Sequence, residues 1–314
     1  MAKPFMTYQQ QLLKLEEKHL VIDDPRAVED ILHRYGYFAL ISGYKDLLKN
    51  PTTKNYKDGT TIYDLVAIYH FDEQLRGLTL QYLLHVERHI RSALSYCFCN
   101  TFGDLQTAYL SPQNYDISTA KKSAAVTKLI NCYLKPPIVK PTKYVYIEHQ
   151  KQQHQNVPLW VLVHTLTFGT LSKMYGLCKP QVQSAISREF LGIDEHQLKQ
   201  ILQVVTDFRN VCAHNERLFT HRCPTHDIPN LPLHQKLKIP KNGQEYIYGK
   251  RDYFAVVLAL RYLIPHKEFL VYKKHLSKLM DNLCATTDKI SQEALHEKLG
   301  FPCNWKKVIS YKKV

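Results

Sequence analysis

Glycine is scarce in this chain, 11 residues in 314. Glycine-rich nucleotide-binding folds and most all-β proteins use more, so helix is the favoured element from the outset. No CxxC pair occurs, which argues against a disulfide framework or a zinc ribbon. The eight cysteines (Cys97, Cys99, Cys132, Cys178, Cys212, Cys223, Cys284 and Cys303) lie mostly in apolar helical contexts and read as reduced, mostly buried thiols. No apolar run approaches the roughly 20 residues that span a bilayer. The opening MAKPFMTYQQQLLKLEEKH has no apolar signal core. A soluble, cytoplasmic chain with no membrane partner is expected. Acid is also in deficit, with 28 Asp and Glu against 42 Lys and Arg, a net charge of +14. The 16 histidines add positive charge below neutrality. Such a balance favours a polyanionic partner, nucleic acid first and an anionic membrane surface second.

What is present is helical periodicity. Phe5, Tyr8, Leu12 and Leu15 form a stripe over 5–19. Asp24 followed by Pro25 marks a helix start. Phe71, Leu75, Leu78, Tyr82, Val86, Ile90 and Leu94 recur near every 3.5 residues, which predicts a long helix over 71–98 with a narrow apolar seam. Ser118 is placed to cap a helix reaching about 133. The stretch KPPIVKPTKYVYIEHQKQQHQNVP (135–158) breaks the pattern with prolines and polar groups. Beyond it, helices are expected from Pro158 through LWVLVHTLTFGTLSKMY, from Pro180, and from Asp194 toward residue 208. Further helices are expected over 253–264 and 267–285. The organisation expected is an N-terminal helical region (1–134), a linker or inserted loop (135–157) and a second helical region (158–314), or one continuous domain. The fold class is mainly α.

RNVCAHNERLF (209–219) gathers Arg209, Asn210, His214, Asn215, Glu216 and Arg217 where the last apolar face ends. An imidazole takes and returns protons near neutral pH. A guanidinium keeps its charge, and its fork matches phosphate oxygens. Together they suit attack by a ribose 2′-hydroxyl on the adjacent phosphate, with His214 moving protons and Arg209 stabilising the phosphoryl charge. That chemistry needs no metal or other cofactor, and its substrate is RNA. Residues five apart on a helix are turned by about 140°, so Arg209 and His214 do not stack. Asn210 and His214 share a face, which suits Asn210 to positioning His214 or the scissile ribose. The plainer reading is a helix C-terminus whose dipole His214 and Arg217 complement.

Other constellations are weaker. His85 and His89 in HVERH (85–89) stand four apart, as metal ligands do, but the intervening Glu87 points elsewhere. The acid therefore reads, with Arg88 and Arg91, as the polar side of the long helix. HRCPTH (221–226) holds His221, Cys223 and His226 without a placed fourth ligand, so no metal is assigned. Trp160, Phe168, Met174 and Tyr175 read as core, and Gly169 as a close-packing point. Basic residues interleaved with aromatics occur in KPTKYVYIEHQKQQH (140–154), with Lys140, Lys143 and Tyr144. They recur in YKKHLSK (272–278), with Lys273 and Lys274, and in the tail KKVISYKKV (306–314). These are candidates to track a phosphate backbone and stack bases.

Four blocks resemble the Abi family of bacterial abortive-infection proteins, its AbiD/AbiF-like group. They are LLKLEEKHLVIDDPRAVEDILHRYGYFALISGY, LRGLTLQYLLHVERHIRSALSY (75–96), PLWVLVHTLTFGTLSKMY (158–175) and RNVCAHNERLF, with GFPCNW (300–305) as a coda. The blocks keep the family's order over nearly the whole chain. The resemblance implies a HEPN-like helical core with N- and C-terminal elaborations, and an R-x4-6-H ribonuclease motif shared across a homodimer. It also implies control by a small noncoding RNA, and Glu87 and Arg91 facing the catalytic helix. The family often has a second histidine where this chain has Asn215. The expectation is an RNA-binding antiphage endoribonuclease toxin, with the seam of the 71–98 helix contributing to the dimer contact. The first alternative is a non-catalytic module that holds a structured noncoding RNA. The second, a transferase, lacks any nucleotide site in this sequence.

Overall fold

Local end-signals set most of the helices in the computed structural model, which describes residues 4–310. Residues 311–314 of the basic tail lie outside the described residues. Thr7 and Gln10 cap each other at the start of α1 (Tyr8–Glu16), so Phe5 falls before the helix and is exposed, outside the stripe expected of it. Asp24 accepts from the amides of Arg26 and Ala27 and opens α2 (Pro25–Tyr35). Gly36, at φ 76°, turns the chain into α3 (Tyr37–Tyr44).

The long helix α4 (Ile62–Phe102) exceeds the expected 71–98 at both ends. The Thr61 amide donates to Asp64 at 2.8 Å to start it, and Gly103, at φ 93°, stops it. α5 (Gln106–Leu110) follows, then α6 (Ala120–Leu129), capped by Thr119 rather than Ser118 and continued by one wide turn, Ile130–Leu134. Residues 135–157 are not bare loop. They carry α7 (Pro136–Val139) and α8 (Val145–His154), and Ile147 and Val157 are wholly buried.

The helix expected from Pro158 divides in two, α9 (Leu159–Leu162) and α10 (Phe168–Leu177). Thr167 causes the break, because its hydroxyl accepts from the Thr170 amide and its own backbone is extended. Phe168, Met174 and Tyr175 are core as expected. Trp160, on the single turn of α9, is 48% exposed and is not. Nor is Gly169 tightly packed, since a Cβ there would meet Thr206 at an ordinary 3.6 Å. Then come α11 (Pro180–Ser187), α12 (Glu195–Ala213) and α13 (Pro232–Lys236). A minimal antiparallel hairpin, β1 (Lys241–Asn242) with β2 (Glu245–Tyr246), follows α13. α14 (Tyr253–Leu263), α15 (His266–Thr286) and α16 (Gln292–Leu299) complete the fold.

Helix α4 is the axis of the molecule, packed by α3, α11, α12 and α15. Every residue of α14 is buried, and each fully buried large apolar side chain there contributes about 1.5–3 kcal/mol. Buried apolar residues form a single connected core from Leu12 to Val308. The seam of α4 belongs to that core: Leu75, Val86, Ile90 and Leu94 have no exposed surface. It is consumed within the chain, which corrects the expectation that it would meet a second copy.

Candidate functional site

The motif RNVCAHNERLF straddles the C-terminus of α12. Asp194 starts that helix with a reciprocal cap to Gln197. At the other end His214 is the capping residue, and its amide donates to the Asn210 carbonyl at 2.9 Å. Asn215 takes φ 55°. The Glu216 amide then reaches back to the Val211 carbonyl at 3.0 Å, and the Asn215 amide to Cys212 at 3.4 Å. This is the closing pattern of a helix whose next residue is left-handed. Asparagine tolerates that conformation better than a bulkier side chain does, which accounts for Asn215 at this position.

After the turn the chain dives back into the core. The amides of Leu218 and Phe219 donate to the Asp72 carboxylate, at 3.3 and 2.7 Å. Asp72 is fully buried on α4 and also receives the Tyr44 hydroxyl at 2.6 Å and Arg76 at 2.7 Å. Burial raises its carboxyl above the usual range, and these four donors pull it back. Arg217, the second arginine of the motif, is packed against α3. Its guanidinium lies 5.3 Å from the centre of the Tyr44 ring. A Cβ on Gly43 would come within 2.9 Å of Arg217 Nη2, so a larger residue there would push the guanidinium out of its present position.

Farther along α4, Glu87 faces α12. Its Oε2 accepts from Arg209 Nε at 3.1 Å and its Oε1 from Arg91 Nη2 at 2.7 Å. The Glu87 residue is 5% exposed. Arg91 also donates from Nε to the Val163 carbonyl at 3.2 Å, which ties α9 to the cluster. One buried carboxylate therefore holds two guanidiniums. The terminal amino groups of Arg209 have no partner among the described residues. Arg88, Asn210, His214 and Asn215 are exposed around this cluster or at the end of α12. Cys212, inside the motif, is no nucleophile: burial pushes its thiol up to about 12.

The remaining sequence candidates fall elsewhere. Lys140 and Tyr144 line a cavity of about 390 Å³ with Pro136, Thr165 and Thr167. Lys143 is exposed, its ammonium 5.6 Å from the Tyr144 ring. Lys273 and Lys274 line a different hollow on α15, and Lys273 sits 5.9 Å from the Trp305 ring. Burial, then the charge of Lys306, lowers the Lys273 pKa. These two hollows share no residue with each other or with the Glu87 cluster.

The histidine pairs also separate. His85 bonds Glu268 at 2.9 Å, and His89 bonds Glu189 at 2.7 Å. In the HRCPTH tract, His221 bonds Asp207 at 2.6 Å and Cys223 is buried. Among the described residues, no three His, Cys, Asp or Glu side chains gather as a metal site. No helix among them is long and apolar enough to cross a membrane.

Several residues of the site have no sequence signal. Tyr44, Asp72 and Arg76 form a hub that only the folded chain assembles. His164 is another: burial, then the charge of Arg91, lowers its pKa. It flanks the carbonyl that Arg91 holds, yet nothing in LWVLVHT singles it out.

No curated protein and no solved structure matches the chain. A family model does match, from Asp30 in α2 to Thr220, one residue beyond the Asp72 anchor, and it takes in both Asp72 and the Glu87–Arg209 pair. The chain belongs to the family of Abi-like proteins, matched over residues 30–220, and has the abortive-infection role of that family.

Proposed function

We propose that this protein is an RNA-binding abortive-infection factor and a metal-independent endoribonuclease of the HEPN type, acting in the cytoplasm under the control of a small noncoding RNA. One observation carries the reading most directly. Glu87 grips Arg209 through Nε alone, so the two amino groups that match phosphate oxygens stay unpaired within reach of solvent. The same α12 end presents His214 with an exposed imidazole.

In this mechanism His214 draws the proton from the ribose 2′-hydroxyl as it attacks the neighbouring phosphorus. The P–O5′ bond breaks, and the leaving 5′-oxygen takes a proton. Arg209 neutralises the charge that gathers on the non-bridging oxygens. Asn210, one turn before His214, orients the ribose. Glu87 and Arg91 position Arg209, and Arg88 adds a positive charge at the surface. Lys140, Lys143, Tyr144, Lys273 and Lys274 supply backbone and base contacts outside the centre. A second copy of the chain brings the second imidazole, through a surface other than the buried seam of α4.

The test is cleavage of labelled single-stranded RNA in EDTA. The expected result is a 2′,3′-cyclic phosphate end, lost in His214→Ala while RNA binding is kept. Mixing Arg209→Ala with His214→Ala chains is expected to restore part of the activity. Strict metal dependence or 3′-hydroxyl ends would refute the mechanism. Tight RNA binding with no cleavage by the wild type would leave the non-catalytic, RNA-holding reading in its place.

A further inference from the structure

A cavity of about 550 Å³ opens between α6, α10 and α12. Its lining charge is of one sign. Lys121 and Lys128 come from α6, Lys173 from α10, Lys199 from α12, and His226 from the loop after the motif. No aspartate or glutamate lines it. Among the described residues, none of these four lysines is engaged in an ion pair. Lys121, Lys128 and Lys173 are exposed around the hollow and Lys199 is half-buried, so the field they set up there is positive. An anionic ligand complements that field. Between the lysines the lining is apolar, with Ala125, Leu129 and Leu177, and it includes the ring of Tyr133. An apolar or aromatic body carrying phosphate fits such a lining, and the volume lies in the range of small-molecule sites.

The cavity is also aligned with the motif. Lys199, Gln203 and Thr206 are spaced four and three apart, so they occupy one face of α12. The next residue on that face is the exposed Asn210, about 6 Å farther along the axis. His214 lies one turn beyond, at the helix end. Arg209 is turned about 100° from Asn210, toward α4 and Glu87.

We infer that this cavity seats one nucleotide of the RNA strand whose scissile phosphate meets Arg209 and His214. The inference rests on the RNA reading above and specifies its substrate. The base enters against Tyr133 and the apolar lining, and the lysines hold the flanking phosphates. A base paired in a duplex cannot enter such a hollow, so the strand is single-stranded at that position.

The experiment measures equilibrium binding of a short, labelled single-stranded RNA to the full chain. Lys128→Glu/Lys173→Glu reverses charge at the cavity, and Ala125→Trp fills it without changing charge. Lys18→Glu/Lys267→Glu makes the same charge change on exposed lysines elsewhere. Thermal melts confirm that each variant is folded. Both cavity variants are expected to weaken binding at least about tenfold, and the distant pair less than about threefold, because local contacts add to the general counterion term. Equal losses in the two lysine pairs, with Ala125→Trp binding normally, would overturn the inference and leave the RNA reading standing. Saturation by free ATP or UTP without displacement of RNA would also overturn it, making the cavity a mononucleotide site. A wild type that binds no RNA at low salt would end both.

Discussion

Asp72 and Glu87 are buried carboxylates on the same helix, about four turns apart. All the partners of Asp72 are internal: Tyr44, Arg76 and the amides of Leu218 and Phe219. The partners of Glu87 are two guanidiniums that remain partly exposed. The first carboxylate closes the chain after the motif. The second presents charge at the surface. A buried carboxylate is therefore not in itself a mark of function; what matters is where its partners end.

The largest expected effect breaks the internal hub. Asp72→Ala strands Arg76, which is 5% exposed, and leaves the Tyr44 hydroxyl and two amides unpaired. A loss of about 3–5 kcal/mol is expected, measured as the shift in the urea midpoint. A loss below about 1 kcal/mol would show that water replaces the carboxylate and that Asp72 is no anchor.

A third enclosed carboxylate sharpens the comparison through pH. Burial raises Asp252 to about 7, and burial lowers His234 to about 4. Both meet at Gly249, whose amide donates to Asp252 and whose carbonyl bonds His234 Nε2 at 2.8 Å. Between about pH 4 and 6.5 the folded chain binds a proton at Asp252 that the unfolded chain has lost, so this group's contribution to stability falls as pH rises. Over the same window the unfolded chain binds a proton at His234 that the folded chain does not, so that contribution rises. The two offset. Asp252→Asn removes the first, and its stability is expected to climb relative to wild type by about 1.4 kcal/mol per pH unit across that window. Parallel pH profiles for the two proteins would show that Asp252 is already ionised in the fold.

Glu87→Gln is expected to cost less stability than Asp72→Ala, about 1–2 kcal/mol, because solvent reaches both arginines. Its signature lies in function. RNA affinity holds or rises as a negative charge is lost, while cleavage falls about tenfold or more as Arg209 loses its position. Cleavage and affinity falling in parallel would mean that Glu87 supports only the fold.

The smallest effect tests the turn between the two regions. Asn215→Ala forces an ordinary side chain to φ 55° and is expected to cost about 1 kcal/mol. Asn215→Gly should fall within a few tenths of wild type or be slightly more stable. Equal melting temperatures for all three would remove the left-handed turn as the reason for asparagine at this position.

Much of the frame is local and was readable from the sequence. Asp24 with Pro25, Asp194 with Gln197, and the repeat from Phe71 to Leu94 act within one or two turns, where a cap or an apolar stripe needs no distant partner. The R-x4-H pair was visible for the same reason, being a short spacing in one segment. Where local signals competed, they misled. The prolines of 135–158 suggested open loop, yet α7, α8 and the buried Ile147 lie there. An apolar pattern ran through Trp160, but Thr167 ended it and left the indole half exposed.

By itself, then, the sequence determined a basic, mainly helical chain with a histidine and an arginine at the end of one helix. Only the tertiary structure decided that Arg209 would be held by a carboxylate 122 positions away, and that Phe219 would return to Asp72 across 147. It also brought lysines from three helices around one cavity. The physical reason is range. Caps and periodicity are enforced by bonds between near neighbours. The pairing of a buried charge, and the like-charged lining of a cavity, follow from which helix faces the packed core brings together, and no local pattern encodes that choice.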